Sequence, residues 1–379
     1  MSSSIEEKSA DYDVLVIGAG ISGISAAYHL QTMCPDHTFA ILERRAQLGG
    51  TWDLFRYPGI RSDSDMHTLG FRFQPWARKN SIADGDEILD YLNETATEHG
   101  IGDKIQFGVS VRAASWSTSD ALWTVSLVDD QTGEERVLTC RFLWSCAGYY
   151  DYDRGHAPSF EGSTDFSGEL VHPQHWPEEL DYAGKRIVVI GSGATAVTLV
   201  PALAEEARHV TMLQRSPSYV VSLPRQDPLS KKLLGRIPDG LFHSALRWKS
   251  IAHSRFLFWF ARRYPERARE EIMKGVREQL GPDFDADTHF TPAYDPWDQR
   301  VCMTPDDAFF DALKEGSATV VTDQIERLTP GGVLLKSGEE LTADIIVTAT
   351  GLKLQILGGL ELSVDGVAIN PHDHTAYKG

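Results

Sequence analysis

The sequence predicts an α/β fold of two Rossmann-like dinucleotide-binding domains, with a helical insert in the second. Three observations carry this. YDVLVIGAGISGISAAYHL, from Tyr12, reads as a buried strand, a glycine turn and a helix. The same unit returns from Lys185 as KRIVVIGSGATAVTLVPAL. After each copy comes a short meander and then a buried strand ending in glycine, RFLWSCAG to Gly148 and ADIIVTATG to Gly351.

The bulk composition narrows the field. A chain of 379 residues, 42% hydrophobic and 24% charged, fits a soluble globular protein of two or three domains. Its net charge of −18 argues against nucleic-acid binding, which needs a cationic surface. The four cysteines form no CxxC pair, so neither a zinc site nor a redox disulfide is expected; a reducing, cytoplasmic setting is. The N-terminus MSSSIEEKSADYD is polar and acidic and does not read as a signal peptide.

In the first unit Gly18, Gly20 and Gly23 allow a tight turn and let the backbone approach a pyrophosphate at the helix N-terminus. The next strand, TFAILERR, ends in Glu43, about 20 residues on, where a carboxylate accepts from a ribose hydroxyl. In the second unit Gly191 and Gly193 match, Ala196 stands for the third glycine, and Ala194 and Thr195 open the helix. Gln214 takes the place of Glu43, and Arg215 follows it. A neutral Gln removes repulsion toward a 2′-phosphate and Arg supplies a charge-assisted partner, so this site reads as NADPH-specific. The plain alternative is that Arg215 is a solvated surface charge. Two dinucleotides in one chain imply electron transfer between them, as in flavoproteins. A disulfide reductase of this plan needs paired cysteines, which are missing.

The expected boundaries are 11–155 for the first domain, 156–182 for an interdomain linker, 183–224 with 300–352 for the second domain, 225–299 for the insert, and 353–379 for a return to the first domain. The insert holds 13 Lys/Arg against 6 Asp/Glu between Arg225 and Glu278. It reads as a helical cap whose aromatics Trp248, Phe256, Phe258, Trp259 and Phe260 form helix core; the sharper alternatives are an apolar substrate wall and a patch touching an anionic membrane.

Two further motifs choose the chemistry. GGTWDLFRYPGIRSD, from Gly49, holds Gly50, Thr51, Trp52, Tyr57, Pro58, Gly59 and Asp63. FSGELVHPQHWP sets Phe166, Gly168, His172, Trp176 and Pro177 in the spacing F-x-G-x-x-x-H-x-x-x-W-P. Together they resemble the type I Baeyer–Villiger flavin monooxygenases; ordinary flavin monooxygenases carry Tyr or Phe where Trp176 stands. With RYPGIRSDSD, TMLQRSP and YDPWDQR, the chain is similar to the ethionamide-activating monooxygenase group over essentially its whole length.

The resemblance implies FAD at the first unit, contacted by Gly18, Gly20, Gly23, Glu43, Gly50, Thr51, Trp52, Asp63 and Val111, and NADPH at the second. It implies reaction with O2 through a C4a-peroxyflavin that attacks a small apolar ketone, giving an ester or lactone, or oxidises the sulfur of a thioamide or sulfide. Arg300, in PWDQRVCM, is implied as the fixed cation beside the flavin, with Asp63 as the carboxylate that holds it. Relatives often carry Lys where Gln299 stands. Read without the resemblance, Arg300 is a surface ion-pair residue, Asp63 a turn cap and His172 a packing residue. The fingerprint loop is expected to couple the two domains, with Gly168 for flexibility and Trp176 as an apolar anchor. Two rivals remain: an N- or S-hydroxylating flavin monooxygenase, and a nucleotide-binding fragment without activity. Relatives run on past the segment that ends here in HTAYKG, so an exposed apolar face is expected on the first domain. Substrate identity and oligomeric state are not legible.

Overall fold

Each glycine turn is closed by a backbone oxygen from the far end of its own unit. Gly18 has φ +99 and Gly191 φ +141, conformations that favour glycine. A Cβ on Gly18 would stand 2.6 Å from the oxygen of Cys146, just past the returning strand. A Cβ on Gly191 would stand 2.3 Å from the oxygen of Ala349, the matching position in the second half. The duplication read from sequence is therefore also a duplication of packing.

The structure is a computed structural model and describes residues 9–373 except 234, 235 and 237. The polar N-terminus and the closing HTAYKG lie outside the described residues. The chain divides into two units, one holding the residues up to Leu54, Ile88–Asp153 and those from Lys353 on, the other Phe55–Glu87 and Arg154–Leu352.

The first unit is an eight-stranded sheet. Its parallel part runs Glu135–Ser145, Tyr12–Ile17, Phe39–Glu43 and Ile105–Phe107, in that spatial order. Val109–Ser117 and Leu122–Asp129 complete an antiparallel meander with Glu135–Ser145, and the returning Glu361–Val364 adds to Val109–Ser117. Leu15, Ile17, Leu42, Val125 and Leu127 form the core of one face. On the strand Glu135–Ser145, Val137, Phe142 and Trp144 are exposed.

The second unit is a five-stranded parallel sheet, in the order Ala318–Thr322, His209–Gln214, Arg186–Ile190, Ile345–Thr348, Glu169–Val171. Near-continuous apolar strands such as IVVI and IIVT are what a sheet covered on both faces requires. The insert supplies two long helices, Asp239–Arg263 and Pro265–Leu280. Among the described residues no helix is long and apolar enough to cross a membrane.

Three sequence expectations need correction. The fingerprint segment is not a plain loop: Glu169–Val171 is the edge strand of the second sheet and Pro173–His175 a 3-10 turn. Short edge strands with Gly and Pro neighbours carry too little periodicity to be read from sequence. Residues 55–87, expected in the first domain, group with the second, where Ser81 and Ile82 donate to the oxygen of Arg225 and Arg247 donates to those of His67 and Gly70. The insert aromatics are not helix core: Trp248, Phe256, Phe258 and Trp259 are all exposed.

A Cβ on Gly23 would stand 1.9 Å from the oxygen of Gly18, whereas one on Gly102 would meet nothing within 4 Å. Gly23→Ala is expected to cost about 3 kcal/mol through overpacking, and Gly102→Ala less than about 0.5 kcal/mol. Thermal melts of the two purified variants check this.

Candidate active site

The first turn is built to receive an anion. Helix Ile21–Met33 starts at Gly20 with no side-chain cap and no acidic residue in its first turn, so its leading N–H groups are left for a ligand. Gly50 faces it: a Cβ there would be 3.1 Å from the Gly20 Cα. Any larger residue would fill this cradle. Glu43 is 5% exposed at the end of its strand. Its two carboxylate oxygens accept from the Ala19 N–H at 2.7 Å and the Arg45 N–H at 2.9 Å. Burial nonetheless raises its pKa, and the two N–H donors only partly offset this.

Of the residues around it, sequence reasoning named Thr51 and missed the others. Arg45 pairs with buried Asp53 at 2.5 Å, Arg44 with Asp153 at 2.5 Å, and Thr51 Oγ1 lies 3.3 Å from the Tyr152 hydroxyl. Trp52 is the second residue of the short helix Thr51–Leu54. Val111 sits half-buried in the meander, packed on the core of this sheet.

In the second unit helix Ala194–Ala204 begins at Gly193, again uncapped and without acidic residues in its first turn. Thr195, in that turn, bonds the hydroxyl of buried Tyr57, and burial pushes the Tyr57 pKa up to about 12. A Cβ on Gly59 (φ +76) would be 2.9 Å from that of Ala202 on the same helix. The Gly49–Asp63 motif thus divides: GGTW belongs to the first unit and YPG docks on the nucleotide helix of the second. Gln214 is buried, and its amide donates to His289 O at 2.8 Å and Thr322 Oγ1 at 2.9 Å, while Arg215 beside it is exposed.

Arg300 lies at this second turn, its Nε 3.9 Å from where a Gly193 Cβ would be. Nε donates to Ser218 Oγ at 2.9 Å and Nη2 to Ser192 Oγ at 3.0 Å. Ser218 Oγ donates in turn to Ser192 Oγ at 3.1 Å, and Ser192 Oγ to the oxygen of Ser216 at 3.0 Å. The Tyr294 hydroxyl donates to the backbone oxygen of Arg300 at 3.0 Å, and buried Cys302 has its thiol pushed up to about 12 by burial.

The expected Arg300–Asp63 pair is not formed. Asp63 is exposed, yet the protein around it raises its pKa, and its opposing cation is Arg61, two residues away. Arg61 donates from Nη2 to Met303 O at 2.8 Å, and its Nε is buried with no acceptor among the described residues. Hydroxyls take the guanidinium of Arg300, and they carry no charge signal that sequence could have matched to it.

The fingerprint residues are held within the second unit. Phe166 packs on the core of Val188, Ile190, Leu328 and Ile346. A Cβ on Gly168 would stand 2.2 Å from Asp344 O, so this glycine serves close approach rather than flexibility. His172 Nδ1 accepts from the Gln174 N–H at 3.2 Å, and burial lowers its pKa below the ordinary histidine value. A neutral, cap-forming ring fits a packing role. Trp176 stacks edge-on with Tyr182, ring centroids 6.4 Å apart.

Comparison with known proteins decides the family. A model described as flavin-binding monooxygenase-like matches residues 79–355, and one described as an NAD(P)-binding Rossmann-like domain matches 16–79. The chain belongs to the flavin-binding monooxygenase-like family. It is 52% identical over 368 residues to the FAD-containing monooxygenase EthA of Mycobacterium tuberculosis, covering 97% of this chain and 75% of that protein. It is 53% identical over 372 residues to the putative FAD-containing monooxygenase MymA of the same organism, again 97% and 75%. Among solved structures it is similar to the open form of cyclohexanone monooxygenase, with TM-score 0.76 and 24% identity over 95% of this chain and 78% of that one. A steroid monooxygenase bound to NADP gives TM-score 0.75 at 24% identity, over 93% and 73%. These structures establish the fold, and the family makes the chain a flavin-dependent monooxygenase.

The raised pKa of Glu43 has a consequence for stability. The native state keeps this proton to higher pH than the unfolded chain does, so stability falls as pH rises from about 4.3, the ordinary glutamate value, through the raised native value. Glu43→Gln has no such proton. In ligand-free protein its melting temperature relative to wild type is expected to move upward between pH 4 and pH 8. A constant gap across that range would contradict the assignment.

Proposed function

We propose that this monooxygenase takes FAD at the first glycine turn and NADPH at the second, and inserts one atom of O2 into a small apolar ketone to give an ester or lactone. FAD supplies the centre at which O2 is activated, and NADPH the hydride that reduces it. The uncapped helix starts at Gly20 and Gly193 suit the two pyrophosphates. Glu43 suits an adenosine ribose, and Arg215, exposed next to neutral Gln214, suits a 2′-phosphate.

One observation carries the choice of chemistry: Arg300 is fixed by neutral hydroxyls and not by a carboxylate. Its charge is therefore uncancelled locally. Oxygen transfer to a carbonyl carbon builds negative charge on oxygen, and a preoriented cation stabilises it. Ser192 and Ser218 set the orientation of that cation, and Tyr294 holds its backbone. Oxygen transfer to a sulfide or thioamide sulfur needs no such cation. The Trp176-ended fingerprint supports the same reading.

Arg300→Ala is expected to leave NADPH consumption within about tenfold of wild type and to cut ester formation at least about 100-fold, the scale on which removal of one oxyanion donor is felt. Product analysis over aliphatic and aryl ketones, thioamides and sulfides reads both quantities. Undiminished ester formation would remove Arg300 from the chemistry, and oxidised sulfur without ester from wild type would favour an S-hydroxylating enzyme. Separately, Arg215→Ala should lower the preference for NADPH over NADH, measured as kcat/KM, by about tenfold or more.

A further inference from the structure

Helix Asp239–Arg263 is apolar on two opposite sides. Phe242, Leu246 and Ala261 are buried on one. On the other, Leu241, Trp248, Phe256 and Trp259 are 65%, 69%, 56% and 54% exposed. Their spacing puts these four on a single stripe about 27 Å long, given a rise of about 1.5 Å per residue. With one apolar side already in the core, the other calls for a second apolar phase.

The charge pattern says which phase. A chain with 54 acidic residues places none between Gly240 and Pro265, while Arg247, Lys249, Arg255, Arg262 and Arg263 fall in that interval. Arg247 is turned inward onto the oxygens of His67 and Gly70, Lys249 pairs with Asp227, and Arg262 with Asp298. Arg255 is exposed on the stripe between Trp248 and Trp259, with no partner among the described residues. Arg263 lies over the Tyr264 ring at 5.0 Å, next to Trp259. Beside the stripe, Phe258 and Trp297 form a second exposed aromatic pair.

We propose that this face lies in the plane of an anionic lipid surface, with Trp248, Phe256 and Trp259 in the headgroup–acyl boundary and Arg255 and Arg263 on lipid phosphates. Tryptophan beside arginine is the composition such boundaries favour. A second copy of the chain fits poorly. An isologous contact would set this stripe against itself, cation toward cation, with no acidic residue on the helix between Gly240 and Arg263 to relieve it. The proposal is independent of the reaction assigned above.

Flotation of the 379-residue chain with vesicles tests it. Vesicles of phosphatidylglycerol and phosphatidylcholine in equal parts should carry the protein at least tenfold better than phosphatidylcholine alone, with the gain shrinking in 0.5 M NaCl. The triple variant Trp248→Ser, Phe256→Ser, Trp259→Ser should lose at least tenfold in partition, and Arg255→Glu should lose most of the preference for anionic vesicles. Both sites are exposed, and an unchanged circular dichroism spectrum confirms folding. No partition of wild type, or equal partition of the variants, overturns the proposal. So does a concentration-dependent dimer in sedimentation that the triple variant abolishes, which would assign the face to a second copy.

Discussion

The architecture depends on one contact made twice: a backbone oxygen set where a side chain would otherwise be. In the first unit it is the oxygen of Cys146 against Gly18, in the second that of Ala349 against Gly191. Each joins the first strand of a unit to its returning strand at the point where the following helix begins. A single methyl at either glycine would push the two strands apart at their carboxyl ends. That is also where a pyrophosphate has to approach the backbone. Closing the sheet and opening a cradle for a nucleotide are therefore one geometric requirement, which is why the same short glycine pattern serves both.

On that shared frame the two units differ in charge. Each strand that follows the turn ends in a buried polar residue, Glu43 in the first and Gln214 in the second. Both are satisfied, as buried polar groups must be. Glu43 is held by two backbone N–H groups and still resists ionisation. Gln214 is held by a backbone oxygen and a threonine hydroxyl and carries no charge to resist. The neutral residue leaves exposed Arg215 free to set the local potential. Arg300 extends the same economy, since hydroxyl acceptors orient it without neutralising it. A carboxylate in place of Ser192 or Ser218 would hold the guanidinium more tightly and cancel the charge that makes it useful.

Periodicity and glycine spacing made the two dinucleotide folds legible, because both are local properties of the chain. The pairing around Arg300 was not local. The family resemblance paired it with Asp63, whereas the structure pairs it with Ser192 and Ser218, which are distant in sequence and uncharged. Arg61 was passed over because it sat inside a segment read as a turn. The insert failed for another reason. Aromatics at helical spacing mark an apolar face, but a helix with two such faces gives the same pattern whether one is buried or both are. Only the exposure of Trp248 and Trp259 separates the cases.

The fingerprint is the clearest case of a motif whose spacing was legible and whose role was not. As text, Phe166 to Pro177 is glycine, histidine and proline at odd intervals, which reads as a flexible connector. In the structure nearly every residue of it is committed. Phe166 packs against the core of the second sheet, Gly168 is pressed against Asp344 O, and Glu169–Val171 pairs with Ile345–Thr348. The His172 ring caps the next turn and fills the space beside Gly155, where a Cβ would be 2.0 Å from it. A segment tied down at each step has little freedom left for bending. Its fixed spacing instead follows from register: shifting Gly168 by one residue would put a side chain into the oxygen of Asp344 and turn the edge strand over. Histidine is needed at its offset for shape and for one acceptor nitrogen, and its lowered pKa keeps that nitrogen available near neutral pH.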